Sequence, residues 1–250
     1  NEYSVFKNIA KIRKLKIIKI DKIFKKIKDL HLISDSEFKI NNLSMAIEAV
    51  KLCNLKKEKI YKSLKKIKDV SGRLELVRKF SNNIKVFIDY AHTPDALSKA
   101  LQSLIHTYGK NISLVFGCGG DRDKKKRSLM AKVANNLSNK IYITDDNPRN
   151  EDPRKIRNEI IKGIDQSKCF NFGKREKAIK EAIINSKQNE VVLIAGKGHE
   201  NRQIYKNRIV NFSDKKVVKN MKLKIKILNK KKQNYFQNRF ILKKIIGNIT

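Results

Sequence analysis

The chain has 250 residues, and 59 Lys and Arg against 24 Asp and Glu give it a formal net charge of +35. This length accommodates one large domain, or one complete domain and part of another. The three cysteines lie far apart without metal-ligand spacing, no clear secretory signal opens the chain, and no apolar run approaches the ~18–20 residues of a membrane helix. We therefore expect a cytoplasmic protein with reduced thiols and no membrane partner.

The positive charge by itself would suit a nucleic-acid-binding protein. Lysine is instead spread through nearly every segment, without a tight arginine cluster or an array of stacking aromatic residues. We expect nonspecific attraction to polyanions and no specific nucleic-acid partner. A basic nucleic-acid-binding protein remains the least favoured alternative.

The first 75 residues do not yet show a regular alternation of elements. Lys16–Ile20 alternates like a strand and Ile23–Ile27 could form a helix, so residues 1–35 stay ambiguous. Beyond them, helices are predicted over residues 43–50 and 57–68, and a domain boundary is placed after Gly72–Glu75. The chain begins with Asn rather than Met, which is compatible with a fragment.

From residue 86 onward, short apolar strands alternate with amphipathic helices. Strands are predicted over residues 86–89, 112–116, 141–144 and 191–195, and helices over residues 94–104, 129–137, 153–164 and 176–185. Val191–Ala195 is the most apolar strand, which indicates a central parallel position covered on both faces. A hairpin over residues 203–212 and a helix starting near Ser213 and Asp214 follow, and residues 225–250 form a basic tail. The fold class is therefore α/β, with a Rossmann-like, mostly parallel sheet and flanking helices.

Four loops that follow predicted strands contain much of the glycine and proline. All three prolines lie in or beside these loops, and five of the ten glycines fall in two of them: Pro94, Pro148, Pro153, Gly117, Gly119, Gly120, Gly196 and Gly198. A tight turn needs glycine without any ligand, so one such loop decides little. Four charged loops at one edge of one sheet, where open α/β folds bind ligands, indicate a site.

The charged residues of these loops could bind the charged groups of one ligand. Arg122 and Arg149 can each bind a carboxylate through two parallel hydrogen bonds, and Asp146 and Glu200 can accept an ammonium group. Together they suit a ligand with both groups, such as an amino acid, although each alone is equally a surface ion pair worth under about 1 kcal/mol. No catalytic triad, metal-ligand spacing or P-loop, G-x-x-x-x-G-K-[ST], occurs in the sequence.

The same loops carry long motifs of a known family. They occupy residues 89–97 (DYAHTPDAL), 116–124 (FGCGGDRDK), 144–149 (TDDNPR) and 195–200 (AGKGHE). In this order and spacing they resemble the Mur ligases of peptidoglycan synthesis, in the branch that adds meso-diaminopimelate. The resemblance runs from about Phe38 to Met221 and does not include the N-terminal segment or the tail.

The resemblance implies ATP-dependent amide formation in cell-wall biogenesis, with ATP and Mg²⁺ as cofactors. The γ-carboxylate of UDP-N-acetylmuramoyl-L-alanyl-D-glutamate becomes an acyl phosphate, which the amine of meso-diaminopimelate attacks. The implied diaminopimelate-binding residues are Arg122, Asp146, Asn147, Pro148, Arg149, Gly196 and Glu200. The implied ATP-binding residues are Asn42, Arg73, Asp89 and His92, with Arg73 toward phosphate and Asp89 toward ribose. No catalytic residue and no protein metal ligand is assigned.

The sequence also departs from the family pattern. The resemblance makes residues 1–75 a remnant of the central ATP-binding domain and residues 76–224 the C-terminal domain, without the P-loop and the carbamylated lysine of the central domain. Ser36 stands where the family usually has glycine. We expect a chain that keeps the amino-acid pocket and is inactive alone, with the P-loop on a missing N-terminal portion or a separate chain. The alternative is a non-catalytic amino-acid-binding or nucleotide-binding remnant.

Overall fold

The structure is a computed structural model that describes residues 2–29, 37–67 and 70–222. Ser36 and the tail from residue 225 lie outside the described residues. The chain divides into two compact units, Asn1–Asn220 and Met221–Thr250, and every element below belongs to the first. The boundary placed after residue 75 and the tail beginning at residue 225 stay predictions.

Within residues 2–29 and 37–67, four helices precede the sheet: α1 (Glu2–Ile12), α2 (Asp21–Asp29), α3 (Glu37–Leu52) and α4 (Lys57–Leu64). Helix α3 confirms the helix predicted over residues 43–50, and α4 confirms the one predicted from residue 57 but ends at Leu64 rather than residue 68. The ambiguous segment 23–27 is helical. Residues 16–20 form no strand, and the side chains of Ile17 and Ile18 are 44% and 36% exposed. A small apolar core joins α2, α3 and α4, made of Ile23, Ile27, Ile40, Ile47, Ile60 and Leu64.

The main sheet has six strands: β1 (Glu75–Lys79), β2 (Lys85–Asp89), β3 (Ile112–Phe116), β4 (Lys140–Thr144), β5 (Cys169–Phe172) and β6 (Val191–Ala195). Their order across the sheet is β1-β2-β6-β3-β4-β5. Only β1 is antiparallel to its neighbour, so the predicted α/β fold with a mostly parallel sheet is confirmed. The predicted central position of β6 is confirmed too, because β6 pairs with β2 on one side and with β3 on the other.

Five helices flank the sheet: α5 (Pro94–Tyr108), α6 (Lys125–Leu137), α7 (Pro153–Ile161), α8 (Arg175–Ile184) and α9 (Asp214–Asn220). Helices α5, α6 and α7 form one layer and share the main apolar core with the strands. Helices α8 and α9 pack on each other and on the sheet. The predicted hairpin is β7 (Arg202–Tyr205) and β8 (Arg208–Asn211), which form a separate two-stranded sheet.

Local sequence explains where the helices behind the strands begin. Thr93 caps α5 by accepting a hydrogen bond from the backbone N–H of Ala96, and Asp152 caps α7 through the N–H of Arg154. Pro94 and Pro153 then fill the first helical turn, where a missing N–H costs nothing. Because β2, β3, β4 and β6 are parallel, the four predicted loops lie along one edge of the sheet. None of the helices in the described ranges is long and apolar enough to cross a membrane.

Candidate functional site

Asn147 joins two of the loops at the carboxyl edge of the sheet. Its side chain is 5% exposed, and its Oδ1 accepts hydrogen bonds from Lys197 Nζ at 3.0 Å and from the backbone N–H of Ile204 at 3.0 Å. Its Nδ2 donates to Glu200 Oε2 at 3.1 Å. Asn147 therefore fixes the loop after β4 against the loop after β6.

Lys197 and Glu200 form an ion pair inside this network. Lys197 Nζ lies 2.9 Å from Glu200 Oε2, and the lysine side chain is 0% exposed. Burial alone would raise the pKa of Glu200, but the hydrogen bonds from Lys197 and Asn147 lower it overall. Glu200 is therefore held as a carboxylate.

Arg149 lies where the loop after β4 meets the loop after β3. Its Nη1 donates to the carbonyl oxygen of Gly120 at 2.9 Å and to that of Asn147 at 3.3 Å. Its backbone has φ +51° and pairs with the β7 strand through the carbonyl of Ile204. Among the described residues, no carboxylate lies within ion-pair distance of this guanidinium.

Arg122 is exposed and approaches Arg149 across Gly119. A Cβ atom at Gly119 would lie 2.8 Å from Arg149 Nη1 and 3.9 Å from Arg122 Cγ. Glycine at this position therefore leaves the space that the two arginine side chains share. The structure brings the two predicted carboxylate-binding residues together.

Close backbone contact holds Pro148 against the glycine-rich loop. A Cβ atom at Gly120 would lie 1.9 Å from the carbonyl oxygen of Pro148, so only glycine fits there. The N–H of Gly120 donates to the carbonyl of Asn147 at 2.9 Å. These contacts, and not ligand chemistry alone, require glycine in the loop.

Asp146 is 9% exposed and lies beside Gly196, where a Cβ atom would come within 2.8 Å of Asp146 Oδ2. Its nearest cation is the buried Arg175, whose Nη1 is 4.0 Å from Oδ2. Arg175 is already paired with Asp214 through Nε and Nη2, each at 2.8 Å. Asp146 thus shares Arg175 with Asp214 at a longer distance and has no direct hydrogen bond from a cation of the described residues, so its carboxylate can still accept one from a ligand.

The four predicted nucleotide-binding residues line one cavity of about 610 Å³. Asn42 comes from α3, Arg73 from the turn before β1, and Asp89 and His92 from the end of β2 and the loop after it. The walls combine apolar side chains with the cations Lys39, Arg73 and Lys99. A volume of this size is typical of small-molecule sites.

Asp89 lines this cavity and connects two of its loops. Its carboxylate accepts hydrogen bonds from the backbone N–H groups of Leu74 at 2.6 Å and Ala91 at 2.7 Å. Burial raises the pKa of Asp89, and these two N–H groups together with Arg73 only partly oppose that effect. Its first structural task is therefore to fix the turn before β1 against the loop after β2.

Tyr90 connects the cavity with the loop after β6. The Arg73 guanidinium lies over its ring at 4.4 Å, and the rings of His92 and His199 lie 4.7 and 5.6 Å from it. Sequence reasoning did not single out Tyr90, Lys197, Arg175 or Asp214 as site residues. Tyr90 and Lys197 stand inside the quoted motifs, while Arg175 and Asp214 have no local signal because their pairing spans 39 residues.

Comparisons with known proteins agree with the fold described above. Residues 72–198, about half of the chain, match the family model described as Mur ligase, glutamate ligase domain. The fold and the edge-of-sheet loops are thus those of a Mur ligase, glutamate ligase domain. The chain belongs to the Mur ligase family.

Individual relatives show which branch of the family this chain is most similar to among those compared. The chain is 45% identical over 203 residues to UDP-N-acetylmuramoyl-L-alanyl-D-glutamate–2,6-diaminopimelate ligase of Rickettsia typhi, covering 80% of this chain and 40% of the relative. It is 42% identical over 195 residues to the protein of the same name in Buchnera aphidicola subsp. Schizaphis graminum, covering 78% and 38%. The chain therefore spans about two fifths of the length of these relatives.

Solved structures show the same fold. One with that ligase name superposes with a TM-score of 0.56 at 35% identity, covering 73% of this chain and 37% of the other. A Mycobacterium tuberculosis folylpolyglutamate synthase complexed with ADP gives a TM-score of 0.54 at 19% identity, covering 64% and 38%. The latter likeness shows the fold alone.

Proposed function

We propose that the chain is the amino-acid-binding portion of a ligase that adds meso-diaminopimelate to UDP-N-acetylmuramoyl-L-alanyl-D-glutamate. The loops after β3, β4 and β6 bind the diaminopimelate, and the cavity lined by Asn42, Arg73, Asp89 and His92 binds ATP. The P-loop and the UDP-sugar site come from a part of the ligase outside this chain.

The charges left over after internal pairing support the choice of amino acid. Lys197 neutralises Glu200 and Arg175 neutralises Asp214, so Asp146 remains as an acceptor for an ammonium group. Arg149 and Arg122 remain as donors for a carboxylate. One end of diaminopimelate carries both groups, whereas the side chain of lysine carries only the ammonium. A guanidinium facing no carboxylate would penalise lysine.

The single observation that carries the proposal is the position of Arg149. Its guanidinium is held by two backbone carbonyls, beside Arg122 and within the loop that contains Asn147. It makes no ion pair with a carboxylate of the described residues. A fixed guanidinium without an internal counter-charge is suited to a carboxylate ligand.

The proposed reaction forms one amide bond. The γ-phosphoryl group of ATP moves to the γ-carboxylate of the D-glutamyl residue and ADP leaves. A neutral amine of diaminopimelate then attacks the acyl carbon, phosphate leaves, and the amine gives up a proton. The residues of this chain orient the distal zwitterionic end, so the reacting amine points away from the arginines.

Mg²⁺ belongs to the proposal only through the nucleotide. Among the residues that the structure describes, no group of three or more His, Cys, Asp or Glu side chains could hold a metal ion. The Arg73 guanidinium lining the cavity instead suits the negative charge of a polyphosphate, whereas Lys99 of the same cavity is paired with Asp95 at 2.8 Å.

Calorimetric titration of the 250-residue chain tests the proposal. We expect meso-diaminopimelate to bind and L-lysine to bind much more weakly. Arg149→Ala should weaken diaminopimelate binding by about 10- to 150-fold, because a hydrogen-bonded charged group contributes about 1.5–3 kcal/mol. Arg149→Lys should also lose most of the affinity, since a point charge cannot replace the planar fork.

The matched control is Lys180→Ala. Lys180 is exposed on α8 and pairs with Glu176 one helical turn away, so its loss should leave both affinities unchanged. Equal diaminopimelate affinity for Arg149→Ala and the parent chain would remove the assigned role of Arg149. Equal affinity of the parent chain for lysine and diaminopimelate would remove the proposed specificity.

A further inference from the structure

Lys197 is a buried cation between two residues of the proposed amino-acid pocket. Its side chain is 0% exposed, and its ammonium group contacts Asn147 Oδ1 at 3.0 Å and Glu200 Oε2 at 2.9 Å. Lysine is almost never fully buried unless it is paired. In a chain with 59 Lys and Arg, this lysine is distinguished by what it contacts and not by its type.

The contacts of Lys197 fix the orientation of the Asn147 amide. Oδ1 accepts from two donors, Lys197 and the N–H of Ile204, so the amide cannot exchange its oxygen and nitrogen without losing both bonds. Nδ2 is then directed to Glu200 Oε2. A flipped amide would place an N–H group against the ammonium of Lys197.

The same contacts leave Glu200 with one oxygen for a ligand. Oε2 accepts from both Lys197 and Asn147. Oε1 makes no hydrogen bond to any described residue. Because Lys197 pairs with Glu200 at 2.9 Å, a ligand ammonium meets a directed acceptor there, whereas the carboxylate of Asp146 lies 4.0 Å from its nearest cation, Arg175.

We propose that Lys197 is a positioning residue for amino-acid recognition, which presents Glu200 Oε1 to the ligand, both directly and through the Asn147 amide, without touching the ligand. The inference rests on the proposed function, since it assigns Glu200 and Asn147 to the amino-acid pocket. It goes beyond that function by assigning different roles to two carboxylates that the sequence alone does not distinguish. Glu200 directs the ammonium, and Asp146 attracts it.

Three variants separate positioning from folding: Lys197→Met, Glu200→Gln and the double variant. Lys197→Met keeps an unbranched side chain one heavy atom shorter and removes the ammonium group, so we expect at least tenfold weaker meso-diaminopimelate binding. ATP affinity, measured in the same preparation, should change by less than twofold. Lys180→Met is the control, because it removes an exposed lysine of α8.

The double variant separates the effect of Lys197 on stability from its effect on diaminopimelate binding. In the Glu200→Gln background the buried lysine has lost its counter-charge, so adding Lys197→Met should raise the melting temperature, whereas it lowers it in the parent chain. In that background Lys197→Met should also weaken diaminopimelate binding by less than twofold. The effect of the lysine would then pass through Glu200.

The outcomes are distinguishable. If the parent chain binds no diaminopimelate, the proposed function fails and takes this inference with it. If the parent binds and a folded Lys197→Met binds equally well, only the positioning role is overturned. If Lys197→Met does not fold, the double variant compared with Glu200→Gln decides: equal affinities support the role, and a further tenfold loss overturns it.

Discussion

Glu151 offers a pH-dependent test of how the glycine-rich loop is held. Its Oε1 accepts hydrogen bonds from the N–H of Asp121 at 2.7 Å and from Arg127 Nη2 at 2.8 Å, and Lys124 lies 3.7 Å from Oε2. The hydrogen bond from Arg127, aided by that from Asp121, lowers the pKa of Glu151 to about 2. The loop carrying Arg122 therefore depends on an ionised carboxylate.

The lowered pKa sets an upper limit on how much ionised Glu151 contributes to the free energy of unfolding. A fall from the ordinary 4.5 to about 2 corresponds to a ceiling of about 3.4 kcal/mol, at 1.36 kcal/mol per pH unit. The Glu151 side chain is 19% exposed, so water screens part of this interaction and about 1–2 kcal/mol is the reasonable expectation. Glu151→Gln should lower the free energy of unfolding by that amount at pH 7.

The direction of the pH dependence is fixed by the sign of the change in pKa. Because the folded-state pKa lies below the unfolded value, the stabilisation is complete above about pH 4.5 and disappears as the pH falls toward 2. Urea denaturation followed by circular dichroism should show the difference between parent and Glu151→Gln shrinking by more than half between pH 6 and pH 3. The control is Glu159→Gln, which contacts Arg127 Nη1 at 2.7 Å but is 44% exposed and should have a smaller effect. A difference for Glu151→Gln that stays constant down to pH 3 would refute the role of the ionised carboxylate.

Two further changes test the supports of the site. Gly120→Ala should destabilise the chain by about 1–3 kcal/mol in urea denaturation, since a methyl group would overlap the carbonyl of Pro148, and an alanine variant as stable as the parent would contradict this packing. Arg175→Met should cost about 3–5 kcal/mol by leaving Asp214 buried without a counter-charge, and Arg175→Met combined with Asp214→Leu should recover most of it; no recovery would mean that the pairing is not the cause.

The sequence predicted the position of a strand best where its composition fits one place in the sheet. Val191–Ala195 is uninterrupted and apolar, which only a central strand covered on both faces explains, and β6 is that strand. The parallel order then brings the loop motifs to one edge without further information. Strands β1 and β5 were not predicted, because each is an edge strand with one neighbour and only partly buried side chains.

The contacts inside the site were less predictable for a physical reason. Charge and spacing indicated that Arg149, Asp146 and Glu200 would lie together, but not which charges the protein neutralises itself. That depends on partners distant in sequence, such as Arg175 with Asp214 across 39 residues and Lys197 with Asn147 across 50. A buried lysine in a lysine-rich chain has no local signal beyond the glycines on either side of it.

The net charge of +35 and the charges of the site act on different scales. Exposed lysines are separated from the loops by water and salt, which screen charges beyond about 8–10 Å at physiological ionic strength. The buried pairs Lys197–Glu200 and Arg175–Asp214 are held by direct hydrogen bonds, with both members of the second pair 0% exposed. Surface lysines can therefore accumulate without altering the local charge that a ligand meets. This is how a chain with the overall charge of a nucleic-acid-binding protein can keep the pocket that we propose for a small zwitterion.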